Sequence, residues 1–159
     1  MGRKIRRVPK GWQHPRDERG HKPLYDKDYD SAALEWLSEF REFYSDANAE
    51  ERKRIEQEHG IKFFWDWHGM PPNEKYYRPA WAAEEMTHYQ AYETVSEGTP
   101  ISPVFETLDE LKSFLLAEGH SASATDEFIR GGWAPSMVII PGRGISPLGI
   151  DSLDWLKKE

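Results

Sequence analysis

A chain of 159 residues without cysteine and with no apolar run near the ~20 residues of a membrane helix excludes a disulfide framework, thiol catalysis and a spanning segment. It is long enough for one domain with a real core, and seven Trp, seven Tyr and seven Phe concentrate buried area in a few large side chains. The net charge of −7 is unevenly spread: residues 1–22 hold eight Lys/Arg against Asp17 and Glu18, a net of +6, so the rest sums to −13.

Residues 1–24 read as an extended basic arm, with 25–159 as a single α+β domain. Pro9, Pro15 and Pro23 interrupt the arm, and basic residues without a following apolar segment do not make a secretory signal. Ile5, Val8 and Trp12 are its expected anchors. The arm can bind nucleic acid through Arg6, Arg7 and a base stacked on Trp12, or it can pack on the acidic body with Trp12 as a tether.

Asp30 or Ser31 is expected to cap a first helix running to about Tyr44, with Leu34, Trp36, Leu37, Phe40, Phe43 and Tyr44 on a wide apolar face. Asn48 and Glu51 mark a second, almost wholly charged helix from Ala49 to His59, which buries only Ile55 and ends at Gly60. Ile61 to Trp67 is a short aromatic strand or core loop. The proline-rich stretch 68–81 is a long loop whose Tyr76, Tyr77, Arg78 and Trp81 either form a binding surface or cover the sheet.

Met86 to Ala117 is the most structured stretch. Alternating residues from His88 to Val95 form a strand, Ser96 to Thr99 a turn with Gly98 at positive φ, and Ile101 to Phe105 a returning strand. Pro100 and Pro103 make that strand either an edge strand or one broken by a bulge. Thr107 and Glu110 make a capping box for a helix carrying Leu108, Leu111, Phe114 and Leu115, stopped by Gly119. Beyond it lie a short helix near 125–130, a central apolar strand over Ser136 to Ile140, and a final strand or helical turn over Ile150 to Leu156. The fold class is thus α+β: a small, mostly antiparallel sheet with a hairpin and three to four helices packed on it.

Chemistry is sparsely marked. The Glu56/His59 and Glu85/His88 pairs have Glu-x-x-His spacing but lack the further ligands of a di-metal bundle, and the other histidines have no zinc spacing, so no metal or cofactor is expected. The Ser96–Ser102 turn, with Ser96, Glu97, Thr99 and Ser102, can form an anion nest or a plain hairpin turn, and it lacks the Gly-Lys-Ser/Thr of a phosphate loop. No nucleophile elbow accompanies either serine.

Three blocks, RRVPKGWQHP over 6–15, YETVSEGTPISPVF over 92–105 and GWAPS over 132–136, resemble a family of small proteins encoded by tailed bacteriophages. The resemblance implies a viral accessory protein acting in the host bacterial cytoplasm, without an assigned chemistry. The leading expectation is an interaction protein that binds and inhibits a host protein or complex, for instance an anti-CRISPR-like block of a defence system. The alternatives are a nucleic-acid or nucleotide binder using the arm and the Ser96–Ser102 turn, and a small enzyme built on His88, Glu93 and that turn.

Overall fold

The computed structural model describes residues 2–95, 98–147 and 149–156. It is an α+β structure in two compact units, the first formed by 1–24 with 81–159 and the second by 25–80. In chain order the first unit opens with β1 (Gly2–Val8) and a small ribbon of β2 (Arg16–Asp17) and β3 (Gly20–His21). The second unit comprises β4 (Tyr25–Asp28), α1 (Tyr29–Phe43), α2 (Ala49–His59), α3 (Phe64–His68) and β5 (Tyr77–Arg78). The first unit resumes with β6 (His88–Glu93), β7 (Thr99–Pro100), α4 (Leu108–Ala117), α5 (Ala122–Gly131), β8 (Trp133–Pro135), β9 (Ile139–Ile140), β10 (Gly144–Ile145) and a 3-10 segment, Gly149–Trp155.

The four-stranded sheet runs β7-β6-β1-β8, with every pairing antiparallel. The expected basic arm is therefore corrected: β1 is an inner strand, paired with β6 from Arg3↔Glu93 to Val8↔His88 and with β8 from Gly2↔Pro135 to Lys4↔Trp133. The charges hid a period of two. Ile5 opposes Ala91 toward the helices, while Arg6 and Val8 point to the other face, where long basic stems still bury apolar length. Residues 25–80 form a compact unit of their own, inserted in the sequence between the two segments of the first.

The core lies between the sheet and α4, α5 and the 149–155 turn. Leu111, Leu115, Phe128, Ala91, Ala134 and Ile150 are essentially inaccessible to solvent. Burying a leucine or phenylalanine side chain this fully stabilises by about 1.5–3 kcal/mol. The α4 cap is the capping box read from the sequence: Thr107 Oγ1 accepts from the Glu110 amide at 3.2 Å and Glu110 Oε2 accepts from the Thr107 amide at 3.2 Å. Pro100 sits on β7, an edge strand, one of the two places its missing donor allows. The return continues past it only as an Ile101 amide bond to the Ala91 carbonyl and a bridge between Tyr89 and Phe105.

The Ser136 to Ile140 stretch is not a central strand. Only Ile139 and Ile140 pair, with β10, and Ile139 and Ile145 stay exposed. The third partner of the sheet is instead the short Trp133–Pro135 strand, whose Pro135 lies at its outer end. In the second unit, Asp28 caps α1 by accepting from the amide and hydroxyl of Ser31, both at 2.9 Å, and these bonds hold its carboxyl below the usual range. The Ile61–Trp67 run is mostly helical, and Phe64 alone of its aromatics is buried, against Trp36, Phe40 and Phe43 of α1. Leu34 and Leu37, expected on the buried face of α1, are exposed: Trp36 and Phe40 set the inward face, and at 3.6 residues per turn Leu37 lies about 80° and Leu34 about 140° round from it.

Candidate functional site: a buried polar knot and an exposed acidic-aromatic face

On the sheet face away from α4 and α5, Arg6, Gln90 and Tyr92 are covered by residues 12–24. The Arg6 guanidinium lies 4.3 Å over the Tyr92 ring and its Nη1 donates to the Leu24 carbonyl at 2.7 Å. The Trp12 indole donates to the Tyr92 hydroxyl at 3.1 Å and meets Trp81 edge-on, with ring centroids 4.8 Å apart. His14 is buried. Its Nε2 donates to the Lys22 carbonyl at 2.5 Å, leaving Nδ1 to accept from the Tyr92 hydroxyl, 3.2 Å away. That hydroxyl also stands 2.8 Å from Gln90 Oε1, so one proton serves two acceptors. Burial lowers the His14 pKa, and the nearby His21 and Arg6 act in the same direction, against the Lys22 carbonyl bond.

The knot gathers Arg6, Trp12 and Trp81 and spends them on one another. Arg7 is exposed but laid over the Tyr89 ring at 4.8 Å and bonded to the Met86 carbonyl. Thr99 lies in β7 opposite Glu93. Ser102 is buried: its hydroxyl accepts from the Ala91 amide at 2.9 Å and donates to the Pro103 carbonyl at 2.8 Å. Ser96 and Glu97 lie outside the described residues. Beside them, the space at Gly98 is filled by Leu24 and Arg6. His88 and Glu93, five positions apart on β6, project to opposite faces; Glu93 pairs with Arg3 at 3.3 Å and His88 contacts Thr87. Tyr92, His14 and Gln90 carry no sequence signal as a group, although His14 falls in the 6–15 block and Tyr92 in the 92–105 block.

Residues 25–80 present a different surface. They carry thirteen Asp/Glu against eight Lys/Arg, a net of −5. Every residue from Trp65 to Met70 is exposed, Met70 at 74% and Trp67 at 46%, and the Phe63 and Trp65 rings stack at 5.0 Å and 6°. Tyr77 and Arg78 belong to this unit: Tyr77 packs against Tyr25 and Tyr29, and Arg78 pairs with Asp26 at 3.5 Å. Tyr76 is exposed nearby, with Lys75 over its ring.

Three clefts open on the described residues of this unit; two of them adjoin, and the third, of about 200 Å³, lies by Lys53, Lys62 and Glu56. One, of about 450 Å³, has Trp36, Tyr25, Tyr77 and Met70 in its walls together with Asp26, Glu35 and Glu39. The second, of about 260 Å³, runs past Phe43, Phe64 and Trp67 with Glu42 and Glu51. They meet at Glu39 and His68, which line both and whose Oε2 and Nε2 are 2.6 Å apart. Spacing gave one usable signal for this arrangement, Glu35 and Glu39 one turn apart on α1; the approach of His68 depends on the α3 turn that the sequence reading did not place. Among the described residues, no three His, Asp or Glu side chains converge as metal ligands, and no helix is long and apolar enough to cross a membrane.

No protein-family model, curated protein or solved structure matches this chain.

Proposed function

We propose that this chain is an interaction protein: it binds a protein component of a bacterial host and blocks it, a phage accessory role in keeping with the sequence resemblance. The observation that supports the reading is the exposed run Trp65 to Met70, where Trp65, Trp67 and Met70 face solvent on a small acidic unit. Large rigid aromatics and methionine left outside the core are the side chains that anchor protein interfaces, because they bury much area with little ordering loss. The basic residues assigned to nucleic acid support the rival reading less well, since Arg6 and Trp12 are engaged in the knot.

The test compares the chain with a Trp65→Ala variant as bait in bacterial lysate at physiological salt. Trp65 is exposed, so the variant keeps its circular dichroism and melting temperature. A partner held in fixed stoichiometry by the parent and lost by the variant is the expected result. No stoichiometric partner, or one held equally by both, overturns the proposal.

A further inference from the structure

Two adjoining clefts of the 25–80 unit share Glu39 and His68 in their walls and are together called the trench. It runs along α1 past the Glu39–His68 contact, with aromatic side chains in both halves and the Met70 thioether in the larger one. Its rim is acidic: Asp26, Glu35, Glu39, Glu42 and Glu51 against Lys27 and Arg52 among the described residues lining it. These two cations are internally occupied, Lys27 on Glu35 and Arg52 on the carbonyls of Phe43 and Ser45 that end α1. The Arg52 bonds leave Glu42 facing the second cleft, and Glu51 is held beside it by Arg54.

We propose that this trench is the docking site for a positively charged segment of the partner protein, one that places apolar anchors in the two clefts and basic side chains along the carboxylate rim. The inference rests on the interaction reading above and adds the chemistry of the occupant. Charge decides it. A groove with an aromatic floor is indifferent to sign, but a net negative rim on a unit of net −5 repels acidic segments, nucleic acid and anionic lipid alike. The resident contacts show what the rim holds: Lys27 already seats its ammonium on Glu35, and an incoming lysine or arginine competes for the same carboxylate. Exposed pairs of this kind are individually weak, so exchange is easy. Met70, 74% exposed at the mouth of the larger cleft, is a flexible thioether able to fold over an apolar anchor.

The probes are a synthetic amphipathic peptide with Lys and Arg on its polar face and the same peptide with those residues replaced by Glu. Each is titrated into the full-length chain and followed by the indole resonances of Trp36 and Trp67. The basic peptide is expected to bind and shift both, the acidic one to shift neither. Glu39→Lys is expected to weaken binding by roughly tenfold, since a charge is lost and its opposite gained at the junction. Met70→Ala is expected to weaken it several-fold without changing the rim. Glu74→Lys, an equal change of net charge outside both clefts, is the control and leaves binding within about two-fold.

Binding that ignores peptide charge, equal losses in Glu39→Lys and Glu74→Lys, or a preference for zwitterionic lipid vesicles over the basic peptide each overturns the trench assignment. If Trp65→Ala abolishes partner capture while the basic peptide fails to bind or to compete, the interaction reading stands and this inference alone falls. If the peptide binds as expected but no partner is captured, the trench's preference for basic chains stands and the interaction reading falls, and with it the partner segment.

Discussion

Gly98 is where the first unit should be most sensitive to a single methyl group. Its φ is +104°, and a Cβ built there lies 2.0 Å from the Leu24 carbonyl oxygen and 2.5 and 2.8 Å from the Arg6 guanidinium nitrogens. Arg6 can move, but the Leu24 oxygen is backbone. Relief of the clash must part Leu24 from Gly98, which breaks the 3.1 Å amide bond between them and the 2.7 Å bond from Arg6. Backbone strain at such a φ costs about 1–3 kcal/mol. Losing the charged and the neutral hydrogen bond adds about 2–4 kcal/mol.

Gly98→Ala should therefore lower unfolding free energy by about 3–7 kcal/mol, out of the 5–15 kcal/mol or so typical of whole domains. Gly11 is the internal control: its φ is +72°, but a Cβ there meets nothing within 4 Å. Gly11→Ala should cost only the left-handed backbone penalty of about 1–2 kcal/mol. Urea denaturation of both variants, followed by far-ultraviolet circular dichroism and by the Trp12 indole resonance, measures the difference. Combining Gly98→Ala with Arg6→Leu should cost less than the sum of the two, because both act on the same carbonyl. Equal losses for the two glycines, or strict additivity with Arg6→Leu, would refute the claim that the knot is held through Gly98.

Phe128→Ala, at a fully buried core position, should destabilise the first unit by about 3–5 kcal/mol in the same urea assay, and a loss under about 1 kcal/mol would contradict the packing described. Asp28→Ala removes the α1 cap and should cost about 1 kcal/mol, seen first as faster hydrogen exchange at the Ser31 amide. His14 makes the knot sensitive to pH. Burial lowers its folded pKa below the ordinary 6.5, so as pH falls the unfolded chain takes up this proton first. The stability owed to neutral His14 is complete above about pH 6.5 and declines below it, until the folded protein itself is protonated. Comparing urea midpoints at pH 7.5 and 5.5, the parent should lose more than His14→Gln; a parent that gains on acidification relative to the variant reverses the sign and the argument.

Local rules carried the helical half of the fold. The capping box at Thr107, the left-handed stop at Gly60 and the edge position open to Pro100 depend on a few neighbouring residues, and each stands where spacing put it. Long-range pairing was another matter. Nothing local in GRKIRRV distinguishes a basic arm from an inner strand; what settles it is Ile5 meeting Ala91, eighty-six positions away, and the Ile5 amide meeting the Gly132 carbonyl. The apolar Ser136–Ile140 run misled for the converse reason. Hydrophobicity suited it to the sheet, yet Trp133–Pro135 had already taken the place beside β1, and Ile139 was left exposed.

The same distinction between local pattern and distant partner governs the candidate sites. Aromatic residues beside basic ones suggest stacking on a ligand, which for Trp12 beside Arg6 is one of two readings the sequence allows, a tether being the other. Yet Arg6 lies over Tyr92, and Trp12 donates to the Tyr92 hydroxyl. Both are held by a residue some eighty positions on, and a side chain so held is not available to a second macromolecule without breaking the sheet's own cover. In the 61–70 stretch the logic inverts. One aromatic, Phe64, fills the space between α1 and α3, and the chain is too short there to bury the others; Phe63, Trp65 and Trp67 remain outside. A unit with one Phe in its centre and several larger rings on its skin gains little stability from those rings as a monomer. In the proposed complex those rings would gain the buried area that the monomer does not give them.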